Sequence, residues 1–474
     1  MLIAWIILIV FFGLFSVMRR ARWSMMLYVV AVSLALSYLL NGWMMVLLPL
    51  TAFIAWALTS QMHRQEGWKR LMLLILTITL VILPFLTYKL LPILQTLLPC
   101  VATPPLWGGR EGSFLWGGQE GFSFVGISFY TLQAISHAID VYRKEYTEKV
   151  TLLEYLFYLT FFPLLFAGPI TRASTLFPQI RKNEAPKERI LYSGLFLLMS
   201  GVVKKFVVAD YLAQYNDLVF GNPAAYNSLE TMMAAWGYGM QIYLDFSGYT
   251  DMALGIARMM GFRLKDNFMF PYQALNIQEF WHRWHISLAS WFRDYIYIPL
   301  GGSRRDLART LLNIIIVFLL VGLWHGINEV YLLWGLIHGL LLAAYRIIKP
   351  WLSNIRDTWL TKTVSWLVMA FTVTCTWVLF RSQSLEVCAQ MFRQMTGSIT
   401  WTDMVTFAGA RTLWFILMLT ASLFLCLQKN TLKWLHDHFV SSYWLVKLAL
   451  MYLLVQAVII FQTSNVVPFL YFQY

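Results

Sequence analysis

Apolar runs recur along almost the whole chain and are separated by short polar or basic connections. New runs begin near residues 1, 25, 43, 71, 122, 152, 190, 230, 311, 330, 364, 412 and 443. A bilayer core about 30 Å thick needs roughly 20 apolar residues per helix, and a helix satisfies its own backbone polar groups in lipid. The pattern therefore predicts an all-α polytopic membrane protein with roughly 11 to 13 transmembrane or re-entrant helices.

The composition agrees with this class. Of the 474 residues, 59% are hydrophobic and only 12% are charged, which excludes a soluble globular protein and a disordered chain. We find no polar stretch long enough for a separate soluble domain, so we expect residues 1–474 to form one integral membrane domain. The run at residues 2–17 lacks a preceding basic residue and a small-residue cleavage site, which favours a retained helix over a cleaved signal peptide.

Basic residues exceed acidic ones, 36 against 23, giving a net charge of +13. They gather in short connections at residues 19–22, 63–70, 181–189 and 304–305, as cytoplasmic loops do under the positive-inside rule. This placement favours membrane topology and lipid attraction over nucleic acid as the reason for the charge. The same loops would attract a phosphate-rich cytosolic substrate.

Neither a metal centre nor a disulfide framework is indicated. The four cysteines, Cys100, Cys375, Cys388 and Cys426, lack metal-type spacing, so we expect reduced and buried side chains. Residues 101–122 are rich in Gly and Trp, which predicts an interfacial loop at the outer face.

Residues 262–305 hold more charges and aromatic rings than a lipid-facing helix tolerates, so they must be buried in protein, line a cavity or lie at the cytoplasmic surface. Asn276 and Glu279 have the spacing of a capping box and predict a helix start. One helical face then carries Trp281, Trp284, His285, Leu288, Trp291 and Phe292, which excludes His282 from that face. His285 is either a structural donor to a carbonyl or a substrate-lining group; zinc binding by His282 and His285 lacks further ligands.

His325 closes the apolar run that begins at residue 311. It follows Arg309 by 16 residues, or about 24 Å of helical rise, which places it past the bilayer midplane. An imidazole is costly to bury and titrates near neutrality, so a general base and a structural role are both open. Gly322 and Gly326 would let a backbone or a substrate approach, and small-residue helix packing accounts for the surroundings of His338.

Two carboxylates, Asp245 and Asp251, interrupt another hydrophobic stretch. Such acids need partners, and Arg258, Arg293 and His285 are the candidates. Either the acids orient a catalytic group, or they pin a broken helix through structural hydrogen bonds, which is the favoured interpretation.

The same segments carry a family resemblance. Residues 245–251 (Asp-Phe-Ser-Gly-Tyr-Thr-Asp), 280–288 (Phe-Trp-His-Arg-Trp-His-Ile-Ser-Leu), 291–302 and 322–326 (Gly-Leu-Trp-His-Gly) closely resemble the membrane-bound O-acyltransferase family. The nearest match is to its bacterial alginate O-acetyltransferase-like members. Shorter matches at residues 125–129, 161–163 and 167–170 extend the signature core from residue 122 to residue 381.

The resemblance implies a ring of helices around a central tunnel, with His325 as the essential histidine and His285 as the second, on the cytoplasmic side. Candidate substrate-binding or tunnel-lining residues are Trp281, His282, Trp284, Ser287, Arg293, Asp294, Trp324, Asp245 and Asp251. His282 departs from the family pattern, which more often has Arg there, and a neutral imidazole would bind an anionic donor less well.

The implied activity is transfer of an acyl group, expected to be acetyl, from a cytosolic thioester such as acetyl-CoA to a hydroxyl acceptor across the membrane. It would serve O-acetylation of an extracytoplasmic polysaccharide, with a periplasmic SGNH hydrolase-like acetyltransferase or the polysaccharide itself as partner. The resemblance places the chain in a bacterial cytoplasmic (inner) membrane, with no metal and no tightly bound cofactor. No nucleic acid partner is expected, given where the basic residues lie.

Three other functions remain open. One is D-alanyl transfer from a carrier protein to teichoic acid, within the same family. Another is transport or flipping of a glycan precursor, in which intramembrane His, Asp and Arg would bind substrate or relay protons. The third is a structural membrane subunit. Thioester turnover by purified protein separates the first possibility from the other two.

Overall fold

The computed structural model describes residues 2–97, 124–352, 354, 356–425 and 429–461. Every regular element in these ranges is helical, so the all-α prediction is confirmed. Cys375 and Cys388 have free thiols, the first half-buried and the second buried. The loop predicted at residues 101–122 and the other two cysteines, Cys100 and Cys426, lie outside the described residues.

The helices follow one another with short connections. The first ten are α1 (Leu2–Met18), α2 (Arg22–Asn41), α3 (Leu47–Met62), α4 (Gly67–Leu97), α5 (Ile127–Tyr142), α6 (Leu152–Thr160), α7 (Phe162–Leu165), α8 (Ala173–Lys182), α9 (Glu188–Val202) and α10 (Asp210–Gly221). The rest are α11 (Ser228–Met259), α12 (Ile277–Arg283), α13 (Ile286–Phe292), α14 (Leu307–His325), α15 (Glu329–Leu352), α16 (Trp359–Arg381), α17 (Leu385–Met395), α18 (Trp401–Ala410), α19 (Thr412–Leu425), α20 (Lys429–Ser441) and α21 (Trp444–Phe461). Short 3-10 turns cover Gly42–Val46, Pro223–Ala225 and Pro271–Gln273, and π-helical segments cover Val203–Ala209 and Arg293–Tyr297.

Within the described ranges, seven segments are long and apolar enough to cross a bilayer: Arg22–Met62, Gly67–Leu91, Glu188–Gly221, Leu307–His325, Glu329–Leu352, Trp359–Arg381 and Trp444–Phe461. The pair α18 and α19, bent by 93°, makes an eighth if it is one span. Some predicted segments are shorter: α5 has 16 residues and α6 has 9, less than the roughly 20 that a straight span needs.

The chain divides into two compact units. The first lies within Met1–Leu195 and Ala253–Lys265. Its core includes a buried histidine, His137 on α5, whose ring meets Tyr146, Tyr155 and Phe177 edge to face at centroid distances of 5.1 to 5.8 Å. Aromatic rings thus fill the interior of this unit around a neutral imidazole.

The second unit lies within Phe196–Met252 and Asp266–Leu470 and holds both candidate histidines. Its α14 and α15 form a hairpin packed through glycines. A Cβ at Gly322 would lie 2.4 Å from the carbonyl oxygen of Tyr331, and one at Gly335 would lie 2.4 Å from that of Phe318. The close approach predicted at Gly322 is therefore one of backbone to backbone, and it fixes the end of α14, where His325 lies.

The backbone around Asp245 and Asp251 differs from the sequence prediction. Helix α11 runs without a break through Asp245 and Asp251, so the broken helix predicted there is wrong. The irregular backbone lies on its neighbour, where Val203–Ala209 is π-helical. At Gly201 and Gly248 the two backbones come close, since a Cβ on Gly201 would be 2.4 Å from the carbonyl oxygen of Gly248.

Candidate active site

The segment around His285 is not the single helix that the sequence predicts. Helix α12 begins as expected, with the Asn276 side chain accepting from the backbone N–H of Glu279 at 2.9 Å. It ends at Arg283, however, and α13 starts at Ile286. Between them His285 adopts a left-handed backbone with φ +42°, a conformation that costs a non-glycine residue about 1–3 kcal/mol.

Asn267 holds this break in place from a loop 18 residues earlier. Its carbonyl oxygen accepts from the N–H of Ile286 at 2.9 Å. Its side-chain oxygen accepts from the backbone N–H of Ser287 at 3.0 Å and from the Ser287 hydroxyl at 2.8 Å. The strain at His285 is thus offset by hydrogen bonds to the backbone and the side chain of one buried residue, Asn267.

The predicted aromatic face survives the break. Six residues assigned to it, Trp281, Trp284, His285, Leu288, Trp291 and Phe292, are all buried, whereas His282 is exposed. Each half of the pattern still follows helical spacing, so both short helices turn the same set of side chains inward.

The side-chain oxygen of Asn267 also lies 3.2 Å from Nδ1 of His285. An amide oxygen can only accept, so Nδ1 carries the hydrogen and Nε2 keeps its lone pair. Burial lowers the pKa of His285 to about 3, because the charged form is penalised away from water. His285 is therefore a neutral imidazole whose Nε2 can accept a hydrogen bond or a proton.

His325 is the last residue of α14 and is buried. Its ring meets Trp334 edge to face at 5.4 Å and Phe380 at 5.1 Å, measured between ring centroids. Trp324 contacts both histidines, with centroids 4.8 Å from His325 and 6.2 Å from His285. The structure thus brings the two predicted histidines into contact with the same indole.

Two further residues that the sequence reasoning did not select join this cluster. Trp334 packs against His338 on the same helix, with ring centroids 4.7 Å apart. Trp281 donates from its indole Nε1 to Nδ1 of His338 at 3.3 Å. The predicted glycine packing around His338 is present too, since a Cβ at Gly339 would lie 3.1 Å from Cα of Ile315.

The two acids of α11 pair with lysines. Lys205 Nζ lies 2.5 Å from an oxygen of Asp245 and 2.7 Å from an oxygen of Asp210. Lys204 Nζ lies 2.6 Å from an oxygen of Asp251. These lysines lie 47 and 40 residues away along the chain and were not among the candidate partners that the sequence suggested, Arg258, Arg293 and His285.

Asp245 on α11 nevertheless lies close to His285. It precedes Phe246, whose ring meets that of His285 edge to face at 4.7 Å. The Asp245–Lys205 pair, with side chains 3% and 1% exposed, thereby anchors the part of α11 on which His285 rests.

Trp284 and Arg293 are two further predicted site residues, with different surroundings. Trp284 stacks in an aromatic cluster with Phe280 at 5.6 Å and Trp377 at 4.8 Å. Arg293 pairs with Asp294 at 2.8 Å, and the Arg293 side chain is 63% exposed. In the described part of the chain, no group of three or more His, Cys, Asp or Glu side chains could hold a metal ion.

The two buried histidines, His285 and His325, are groups that can act as bases away from bulk water. Two imidazoles with aromatic neighbours lie within reach of one indole, and one imidazole is locked with a lone pair on Nε2. Neutral imidazole can take a proton from a hydroxyl group as that group attacks a carbonyl carbon.

The chain is similar in sequence to proteins that are named as acyl-group transferases. A Pseudomonas aeruginosa protein named "Probable alginate O-acetylase" is 39% identical over 283 residues, covering 58% of this chain and 52% of the relative. The "Peptidoglycan O-acetyltransferase" of Helicobacter pylori is 35% identical over 299 residues, covering 58% and 56%. The "Teichoic acid D-alanyltransferase" of Bacillus subtilis is 29% identical over 269 residues, covering 54% and 67%.

The matched region spans about half the length of the first two relatives. The family model extends further along the chain. Residues 28–383 match the model of the membrane-bound O-acyltransferase family, a range that includes both histidines, Asn267 and the paired acids. The chain belongs to the membrane-bound O-acyltransferase family.

Proposed function

We propose that this protein is a membrane O-acyltransferase that takes an acetyl group from acetyl-CoA on the cytosolic side. It passes the group to a hydroxyl acceptor across the membrane, for O-acetylation of an extracytoplasmic polysaccharide. A periplasmic SGNH hydrolase-like acetyltransferase is the expected partner, and the bacterial cytoplasmic membrane the expected location. The acetylase names of two relatives support the acyl group and the glycan acceptor.

The observation that carries the proposal is the pair of buried histidines that both contact Trp324. A buried imidazole is costly, and a second one held by a strained backbone is costlier still. Groups so placed, in a chain of this family, are best explained by chemistry on a substrate that the site encloses.

In the proposed reaction, His325 takes the proton of the acceptor hydroxyl as its oxygen attacks the thioester carbonyl carbon. The carbon–oxygen bond forms, the carbon–sulfur bond breaks, and CoA leaves with the proton that His325 returns. His285 has its lone pair on Nε2, so it accepts from the hydroxyl or from an amide N–H of the donor and orients it. In that tautomer it is not a donor to an oxyanion.

Exposed basic residues suit a donor that carries phosphates. Arg304, Arg305 and Arg309 are exposed in the connection before α14 and at its start. A cluster of this sign raises the local concentration of a polyphosphate such as CoA.

A second candidate is D-alanyl transfer from a carrier protein. The match to the Bacillus subtilis D-alanyltransferase favours it. It uses the same histidines and differs in the donor, so donor preference decides between the two.

The test is release of free thiol from acetyl-CoA by the purified protein in detergent, with and without a hydroxyl acceptor. We expect turnover by the wild type and a loss of at least about 100-fold in His325→Ala. The control is His438→Ala on α20, an exposed histidine, which should retain wild-type turnover. Full activity of His325→Ala would refute the base assignment, and turnover only with a carrier-bound D-alanyl group would replace the acetyl donor.

A further inference from the structure

Helix α15 carries two buried side chains with ring N–H groups, Trp334 and His338, in the aromatic cluster that contains His325. Trp334 and His338 are four residues apart, so they share one helical face. They are 1% and 0% exposed, and their ring centroids are 4.7 Å apart.

The tautomer of His338 follows from its neighbour. The indole N–H of Trp281 can only donate, and it lies 3.3 Å from Nδ1 of His338. Nδ1 therefore accepts, and the hydrogen of the neutral ring is on Nε2. His338 Nε2–H and Trp334 Nε1–H are thus both donors.

Neither donor has an acceptor among the residues that the structure describes. Two other buried indoles do have acceptors: Trp377 donates to the Tyr272 hydroxyl at 3.0 Å, and Trp414 donates to the carbonyl of Leu212 at 3.2 Å. A buried donor without an acceptor is unfavourable, and two on one helical face call for an explanation.

Their position supplies one. The Trp334 ring meets the His325 ring edge to face at 5.4 Å, so the Trp334 donor lies beside the proposed base, and the His338 ring packs against Trp334 one helical turn further along α15. We propose that Trp334 Nε1–H and His338 Nε2–H bind the acyl carbonyl oxygen of the thioester and stabilise the oxyanion of the tetrahedral intermediate. This inference rests on the proposed acyl transfer and assigns to Trp334 and His338 the role that the tautomer of His285 excludes for that residue.

The proposed acyl transfer has two steps, formation and collapse of the tetrahedral intermediate. Attack by the acceptor oxygen forms the carbon–oxygen bond, sends the hydroxyl proton to His325, and moves the carbonyl π electrons onto oxygen, where the two N–H groups meet the charge. Collapse re-forms the carbonyl, breaks the carbon–sulfur bond and transfers the proton from His325 to the departing thiolate.

The experiment compares kcat and KM for CoA release with the melting temperature in detergent. Trp334→Phe keeps an aromatic ring and removes the N–H. We expect kcat to fall about 100-fold or more with little change in KM. The melting temperature should fall only by the cost of the smaller buried ring, because no hydrogen bond is lost. The matched control, Trp414→Phe, removes an indole N–H that has an acceptor, so it should lower the melting temperature and leave kcat unchanged.

His338 is tested with two variants that each imitate one ring nitrogen. His338→Asn keeps an acceptor near Nδ1 for Trp281 and loses the Nε2 donor, so kcat should fall as in Trp334→Phe. His338→Gln keeps a donor near Nε2 and should retain more of kcat while melting at a lower temperature.

Three outcomes would overturn the inference. Wild-type kcat in both Trp334→Phe and His338→Asn would show that neither N–H meets developing charge. A fall in kcat together with a fall in melting temperature as large as that of Trp414→Phe would assign the Trp334 N–H a structural role. A wild type that releases no CoA would instead remove the proposed function, and this inference with it.

Discussion

The side-chain oxygen of Asn267 accepts a hydrogen bond from Nδ1 of His285 across 3.2 Å. The same oxygen accepts from the backbone N–H and the hydroxyl of Ser287. One buried acceptor thus fixes the tautomer of a candidate catalytic imidazole and the backbone break that presents it. Asn267 would act through His285, so its proposed role is that of a positioning residue.

Replacing Asn267 with Ala should therefore harm both stability and activity. The change leaves three buried donors without their acceptor, and each such loss costs about 1–3 kcal/mol. We expect a melting temperature lower by several degrees and a kcat reduced at least about 10-fold, because Nδ1 no longer holds the ring. Asn267→Asp, which keeps an acceptor oxygen, should melt closer to wild type. A level melting temperature in Asn267→Ala would contradict the hydrogen-bond assignment.

The stability of the folded protein should depend on pH through His285. Burial lowers the pKa of His285 to about 3, against about 6.5 in an unfolded chain. Between those values only the unfolded state binds the proton, so stability falls as pH falls below about 6.5, by up to about 1.4 kcal/mol per pH unit. His285→Gln lacks this group and should lose less melting temperature between pH 7 and pH 5. Parallel pH profiles of the two proteins would show that His285 is not buried as a neutral ring.

Lys205 should be more important for stability than its neighbour Lys204. Lys205→Met leaves two carboxylates, on Asp245 and Asp210, without their cation, and breaking a buried pair in this way costs about 3–5 kcal/mol. Lys204→Met is the matched control, because Lys204 and Asp251 are more exposed, at 15% and 19%. We expect the larger drop in melting temperature for Lys205→Met and partial recovery in the double variant Lys205→Met with Asp245→Asn. Equal drops would contradict the difference in burial.

The sequence predicted those features that depend on nearby residues. Hydrophobic runs indicated the long apolar helices, the spacing from Trp281 to Phe292 indicated the buried face, and Asn276 marked a helix start. Each is set by a periodicity or a cap that spans a few residues.

The missed features depend on contacts between distant residues. Asn267 acts on His285 from 18 residues away, and its only signal was its place in the unusual stretch at residues 262–305. Lys205 meets Asp245 across 40 residues, and Trp281 meets His338 across 57. A helical repeat carries no information on such pairs, and the left-handed backbone at His285 overrides the local preference for helix.

The close packing of α14 on α15 should control the position of His325. A Cβ at Gly335 would lie 2.4 Å from the carbonyl oxygen of Phe318, so Gly335→Ala must push the two helices apart. Because His325 ends α14 and its ring contacts Trp334, we expect a lower melting temperature together with a kcat reduced about 10-fold or more. Gly409→Ala is the control, since a Cβ there would meet nothing within 4 Å, and Ala is favoured over Gly within a helix such as α18. Wild-type melting and turnover in Gly335→Ala would show that the hairpin tolerates separation and that the position of His325 does not depend on it.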